Sequence, residues 1–77
     1  MDENNENITE DEEKQLTPRE MEVLTHLVMG KTNPQIADAL GLSTHTVKAH
    51  ICSILRKMSV RDRVQIAVKA IRKGIVD

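Results

Sequence analysis

The segment from Ser43 to Met58, STHTVKAHICSILRKM, leaves the chain little choice of structure. Val47, Ile51, Ile54, Leu55 and Met58 recur at three- and four-residue intervals, so at about 100° per residue they fall on one narrow stripe. His45, Lys48, Ala49, Cys52 and Arg56 fall on the opposite side. Ser43 can cap the run, its hydroxyl accepting from the free amides of the first turn. The pattern predicts an amphipathic helix over about 44–58, with one face for a core and a second face of small and polar residues carrying two cations. A brief Gly41-Leu42-Ser43 turn separates it from another apolar-patterned segment, which makes it the second helix of a helix-turn-helix. A helix so placed enters the major groove of DNA and reads bases with its outward side chains.

The rest of the chain must support that helix, and composition limits how. Seventy-seven residues suffice for one small domain with a modest core. With no Phe, Tyr or Trp, the core must be aliphatic, and a single-strand binder built on aromatic stacking is disfavoured. One cysteine excludes a disulfide framework and a multi-cysteine metal site, and it permits a reducing compartment, the cytoplasm. No apolar run approaches the roughly 20 residues of a membrane span, and no secretory leader pattern is seen. The net charge of −1 hides an asymmetry: residues 1–15 hold seven acids against one lysine, whereas 16–77 hold ten Lys and Arg against five acids. A basic domain suits a polyanion, although such an excess is also ordinary for a soluble domain.

Taken in order, residues 1–15 have too little apolar content to offset ordering entropy and are expected to be a disordered acidic tail or linker. The domain is expected over 16–77. Thr17-Pro18-Arg19-Glu20 is a capping box with proline at the first helical position, starting a helix that Gly30 ends. Met21, Leu24, Leu27 and Val28 are its expected buried stripe. Asn33 is the expected cap of a short second helix, with Pro34 its first residue and Ile36, Ala37 and Leu40 facing inward. A fourth helix is expected from about Arg63 to Lys73, capped by Asp62 and closed at Gly74. Its apolar residues form two flanks, Ile66, Ala67 and Ala70 on one and Val64, Val68, Ile71 and Ile75 on the next. The surplus flank fits either contact with a second copy of the chain or a thin core that wraps the helix fully.

Among single residues, Lys48 lies outward near the start of the third helix and can reach guanine O6/N7 or a phosphate. Arg56, further along the same face, fits a phosphate clamp. Thr32 and Asn33 stand where free helix amides favour a phosphate oxygen, though capping alone also accounts for Asn33. His45, His50 and Cys52 do not form a metal site, because His50 points away from the other two and no carboxylate accompanies them. Cys52 lacks the base and orienting acid that a nucleophile needs. Glu20 and Arg63 each stand beside a buried stripe, where an ion pair between helices is favoured over a DNA role for Arg63.

The run LTPREMEVL…GKTNPQIADALGLSTHTVKAHICSILRKMSVRDRVQIAVKA…GIV closely resembles the LuxR-type helix-turn-helix family, the output domain of FixJ/NarL-class response regulators and quorum-sensing regulators. The resemblance covers Leu16 to about Val76. It implies a four-helix domain whose third helix sits in the major groove and whose fourth helix pairs in a dimer. It further implies that Lys48 touches DNA and that Thr46 and His50 lie near phosphate. Cys52 stands where many members carry a polar or basic DNA-contacting residue, Met58 replaces a usual leucine and Ile66 a usual alanine. The receiver or inducer-binding domain that most members place ahead of this one exceeds the length of this chain.

These readings together predict an all-α, four-helix domain that binds specific double-stranded DNA in transcription regulation. The expected DNA-facing residues are Thr32, Asn33, His45, Thr46, Lys48, Ala49, His50, Cys52 and Arg56. Val64, Val68 and Ile71 are the expected surface of a weak homodimer, and RNA polymerase is a candidate partner. No cofactor, metal, membrane or enzymatic role is expected. The rival readings are a module that captures a partner regulator without DNA and a small redox-responsive protein centred on Cys52.

Overall fold

The computed structural model describes residues 16–75. The acidic segment 1–15, expected as a disordered tail, and the last two residues lie outside the described residues. Within them the chain forms four helices and no strand: α1 Pro18–Val28, α2 Asn33–Leu40, α3 Thr44–Met58 and α4 Arg63–Arg72. The all-α, four-helix expectation holds. So do the bounds of the third helix.

Each helix begins on a side-chain cap, which satisfies amides the helix itself leaves free. At α1 the capping box is complete, with Thr17 Oγ1 accepting from the Glu20 amide at 3.0 Å and Glu20 Oε1 accepting from the Thr17 amide at 2.9 Å. Ser43 caps α3 and Asp62 caps α4, as their positions predict. The start of α2 differs from expectation. Thr32, not Asn33, is the cap, and Asn33 is the first helical residue. Thr32 and Gln35 form a second capping box, which takes the capping role from the asparagine beside it. Between α2 and α3, Gly41 adopts a left-handed φ of 70°, which lets the chain reverse within three residues.

The core is wholly aliphatic: Val23, Leu24 and Leu27 of α1, Ile36 and Ala37 of α2, Val47, Ile51, Ile54 and Met58 of α3, Ile66 and Ala70 of α4. Each fully buried large side chain contributes roughly 1.5–3 kcal/mol relative to exposure. α1 and α3 each pack against all the other helices, whereas α2 and α4 pack on that pair and not on each other. Two expectations are corrected here. In α1 the buried stripe is Glu20, Val23, Leu24 and Leu27, with Met21 and Val28 only half-buried. At the end of α4, Ile75 packs on the core instead of joining the outer flank, because Gly74 turns the chain back and the Ile75 amide donates to the Ala70 carbonyl at 2.9 Å.

Candidate nucleic-acid interface

α3 turns its apolar stripe into the core, which commits the opposite side chains to the surface. His45, Lys48, Ala49, Cys52 and Arg56 are all exposed, as their spacing requires. From His45 to Arg56 they run about 16 Å along the helix at 1.5 Å per residue. Lys48 and Arg56 point two cations from this strip, and small Ala49 and Cys52 between them leave room for an approaching surface. Thr46 and His50 lie at its margin, half-buried. The Thr46 hydroxyl oxygen accepts from the Ser43 hydroxyl at 2.9 Å and retains its own proton to donate.

The start of α2 presents Thr32, exposed, and Asn33, half-buried. The Asn33 side chain is not used for capping. Its Oδ1 accepts from Arg63 Nη1 at 2.7 Å, and Arg63 Nη2 donates to the Lys31 carbonyl at 2.8 Å. Arg63 therefore does not pair with Glu20, contrary to expectation. Glu20 is claimed by α3: Lys57 Nζ donates to its Oε1 at 2.9 Å and the Ser53 hydroxyl to its Oε2 at 2.7 Å. Burial raises the Glu20 pKa, but the Ser53 hydroxyl, the Thr17 amide and the Lys57 ammonium outweigh it, and the carboxyl falls from 4.5 to about 2. The carboxylate is therefore charged at neutral pH, and with two bonds into the helix it fixes how α3 rolls against α1. Lys57, though cationic and on α3, is spent on this bond rather than on the outward face.

On α4, Val64, Val68 and Ile71 are 68%, 46% and 56% exposed, an apolar strip distinct from buried Ile66 and Ala70. Among the described residues the core does not wrap this flank. Among the described residues no cluster of His, Cys, Asp and Glu could hold a metal ion, and no helix is long and apolar enough to cross a membrane.

Sequence reasoning missed two participants. Gln35 was legible, since Thr32-Asn33-Pro34-Gln35 has the capping-box spacing. The bond from Arg63 to the start of α2 spans 30 residues and leaves no local signal.

A four-helix domain with an α2–α3 helix-turn-helix and an outward strip on α3 is the architecture of a nucleic-acid-binding regulator. The chain belongs to the family of bacterial regulatory proteins, luxR family, which it matches over residues 14–70. Among individual relatives it is 47% identical over 62 residues to the transcriptional regulatory protein LiaR of Bacillus subtilis (strain 168), covering 80% of this chain and 29% of LiaR. It is 48% identical over 61 residues to the transcriptional regulatory protein DegU of Brevibacillus brevis, covering 79% of this chain and 26% of DegU. With the nitrate/nitrite response regulator protein NarP of Escherichia coli (strain K12) it shares 53% identity over 49 residues, covering 64% of this chain and 23% of NarP. The chain thus spans less than a third of the length of these relatives.

Proposed function

We propose that residues 16–77 bind specific double-stranded DNA and act in transcription regulation in the cytoplasm, with α3 in the major groove. The observation that carries the reading is the exposed strip of α3, in a chain of the luxR family. In this reading Lys48 reaches a guanine edge. His45, Ala49 and Cys52 face bases beside it, and Arg56, Thr46 and His50 meet phosphates. Thr32 and Asn33 add a phosphate contact at the positive end of α2. Two copies pair through Val64, Val68 and Ile71, setting their recognition helices about 34–36 Å apart, one turn of duplex. RNA polymerase is the further partner this role implies.

The test starts from a duplex pool of random sequence, from which the chain selects its site. Lys48→Ala should then weaken binding to that site by about 1–3 kcal/mol with unchanged helix content, because Lys48 lies off the core. Unaltered affinity would remove Lys48 from the interface. Binding of the parent chain must also weaken steeply with salt, as phosphate contacts do and capture of a partner protein need not.

A further inference from the structure

The chain enters the domain beside a groove on α4. Val60, just after α3, and Val68 of α4 form its apolar floor, Lys69, Arg72 and Lys73 supply three cations, and no acid lines its volume of about 580 Å³. Lys69 bounds it on the α3 side, where its Nζ donates to the Met58 carbonyl at 2.6 Å. Val60 is half-buried on the core, whereas Val68 and Arg72 are exposed. An apolar floor inside a cationic rim suits an acidic segment that carries an aliphatic side chain.

Two ties set the start of α1 at the same end of the molecule. Glu20, in the first turn of α1, accepts from Lys57, the residue before Met58 at the end of α3. At the far end, Arg63, which opens α4, donates to the carbonyl of Lys31, just past the end of α1. α1 and α4 pack on each other, so α4 runs back along α1 and brings Arg72 and Lys73 to the side where Leu16 enters. The sequence ahead of Leu16 has the matching chemistry. Residues 1–15 hold seven acids against one lysine, four of the acids consecutive from Glu10 to Glu13, and Ile8 is their one branched aliphatic side chain. At about 3.3 Å per residue, the span from Ile8 to Leu16 reaches about 26 Å, against about 8–10 Å between the axes of packed helices. The tether also keeps the segment at an effective concentration on the order of millimolar, so a shallow seat suffices. The α3 strip, the other cationic surface, offers two cations with only Ala49 and Cys52 between them.

We propose that this groove is the docking site of the chain's own residues 8–13, with Ile8 against Val60 and Val68 and the acids facing the cations of the rim. The seat takes in Val68, one of the three side chains proposed above for pairing, so the segment and a second copy compete for one face. The docking itself does not depend on the DNA reading.

The test is methyl and amide NMR of the isotopically labelled full chain, without DNA, at about 0.01 M salt, where the screening length is about 30 Å. Ile8→Ser, which changes no charge, should shift the methyl signals of Val60 and Val68, both more than 50 residues away in sequence. Reciprocally, Arg72→Glu should shift the amide signals of residues 10–13. Both effects should survive dilution, as contact within one chain must, and fade at about 0.15 M salt, where the screening length is about 8 Å. Val60 and Val68 signals that Ile8→Ser leaves unmoved overturn the proposal. So do shifts found instead at the amides of Lys48 and Arg56, which would seat the segment on the α3 strip, and shifts that vanish on dilution, which would make the occupant a second copy. Effects indifferent to salt overturn the role given to the cations. Amide dispersion records that each variant is folded. If Arg72→Glu does not fold, Ile8→Ser, which alters no described residue, decides.

Discussion

Glu20 accepts hydrogen bonds from three places: the Thr17 amide that starts its own helix, and Ser53 and Lys57 on α3. Its folded pKa of about 2 lies below the ordinary 4.5, so its contribution is fully present above about pH 4.5 and is lost as pH falls towards 2. A shift of that size corresponds to about 3 kcal/mol at neutral pH. Glu20→Gln keeps a capping side chain but leaves the Lys57 ammonium half-buried without its partner. Urea melts at pH 7 should show the variant about 2–3 kcal/mol less stable. Repeated towards pH 2, the same melts should show the gap closing. A gap independent of pH would mean that the ionised carboxylate is not what matters. The local role of Glu20 was legible, because a capping box is a four-residue pattern. Its partners on α3 were not, because a fold brings them from 33 and 37 residues away. The missed core position Val23 has the same origin. The true stripe runs Glu20, Val23, Leu24 and Leu27, and a reading guided by hydrophobicity avoids a stripe that contains a carboxylate.

At the scale of elements, starts and stops were the most readable feature, since each rests on a local hydrogen bond or a left-handed residue. Only α2 was misplaced, by one position, where Thr32 and Asn33 are both capable caps and Gln35 decides between them. Ser59 had no such signal. It ends α3 at φ 59°, the only non-glycine with positive φ among the described residues, in a conformation that costs an L residue roughly 1 kcal/mol. Ser59→Gly should therefore stabilise the domain by about 0.5–1 kcal/mol, less than the full cost because glycine also frees the unfolded chain. Calorimetry should show Tm rising by a few degrees. Gly41→Ala is the converse. An added Cβ at 41 would meet nothing within 4 Å, so its penalty is conformational alone, about 1–2 kcal/mol, and Tm should fall.

For the whole molecule, charge and the outer flank of α4 decide behaviour. Residues 1–15 hold seven of the twelve acids of the chain. Their removal turns a nearly neutral chain into a basic one, so a chain starting at Leu16 should bind duplex more tightly at low salt, with the difference fading as salt screens it. Weaker binding by the shortened chain at matched salt would contradict this. The strip of Val64, Val68 and Ile71 is small, so free copies should be mostly monomeric at micromolar concentration and pair on DNA with two correctly spaced half-sites. Val68→Glu should retain the fold and single half-site binding and lose cooperativity on the paired site in a gel-shift titration. Cooperativity that survives with the fold intact would place the pairing surface elsewhere. The sequence could show that α4 has a surplus flank but not what covers it, because periodicity reports faces and not neighbours. The exposed Cys52 has a practical consequence for all of these tests. It is the one thiol of the chain and stands in the middle of the α3 strip, so a disulfide reagent should react with it freely in the unbound protein. Bound duplex should slow that reaction, and a bulky adduct at 52 should block binding. The outward face of α3 thus carries its own footprinting reporter, read as a rate of thiol modification and needing no introduced label.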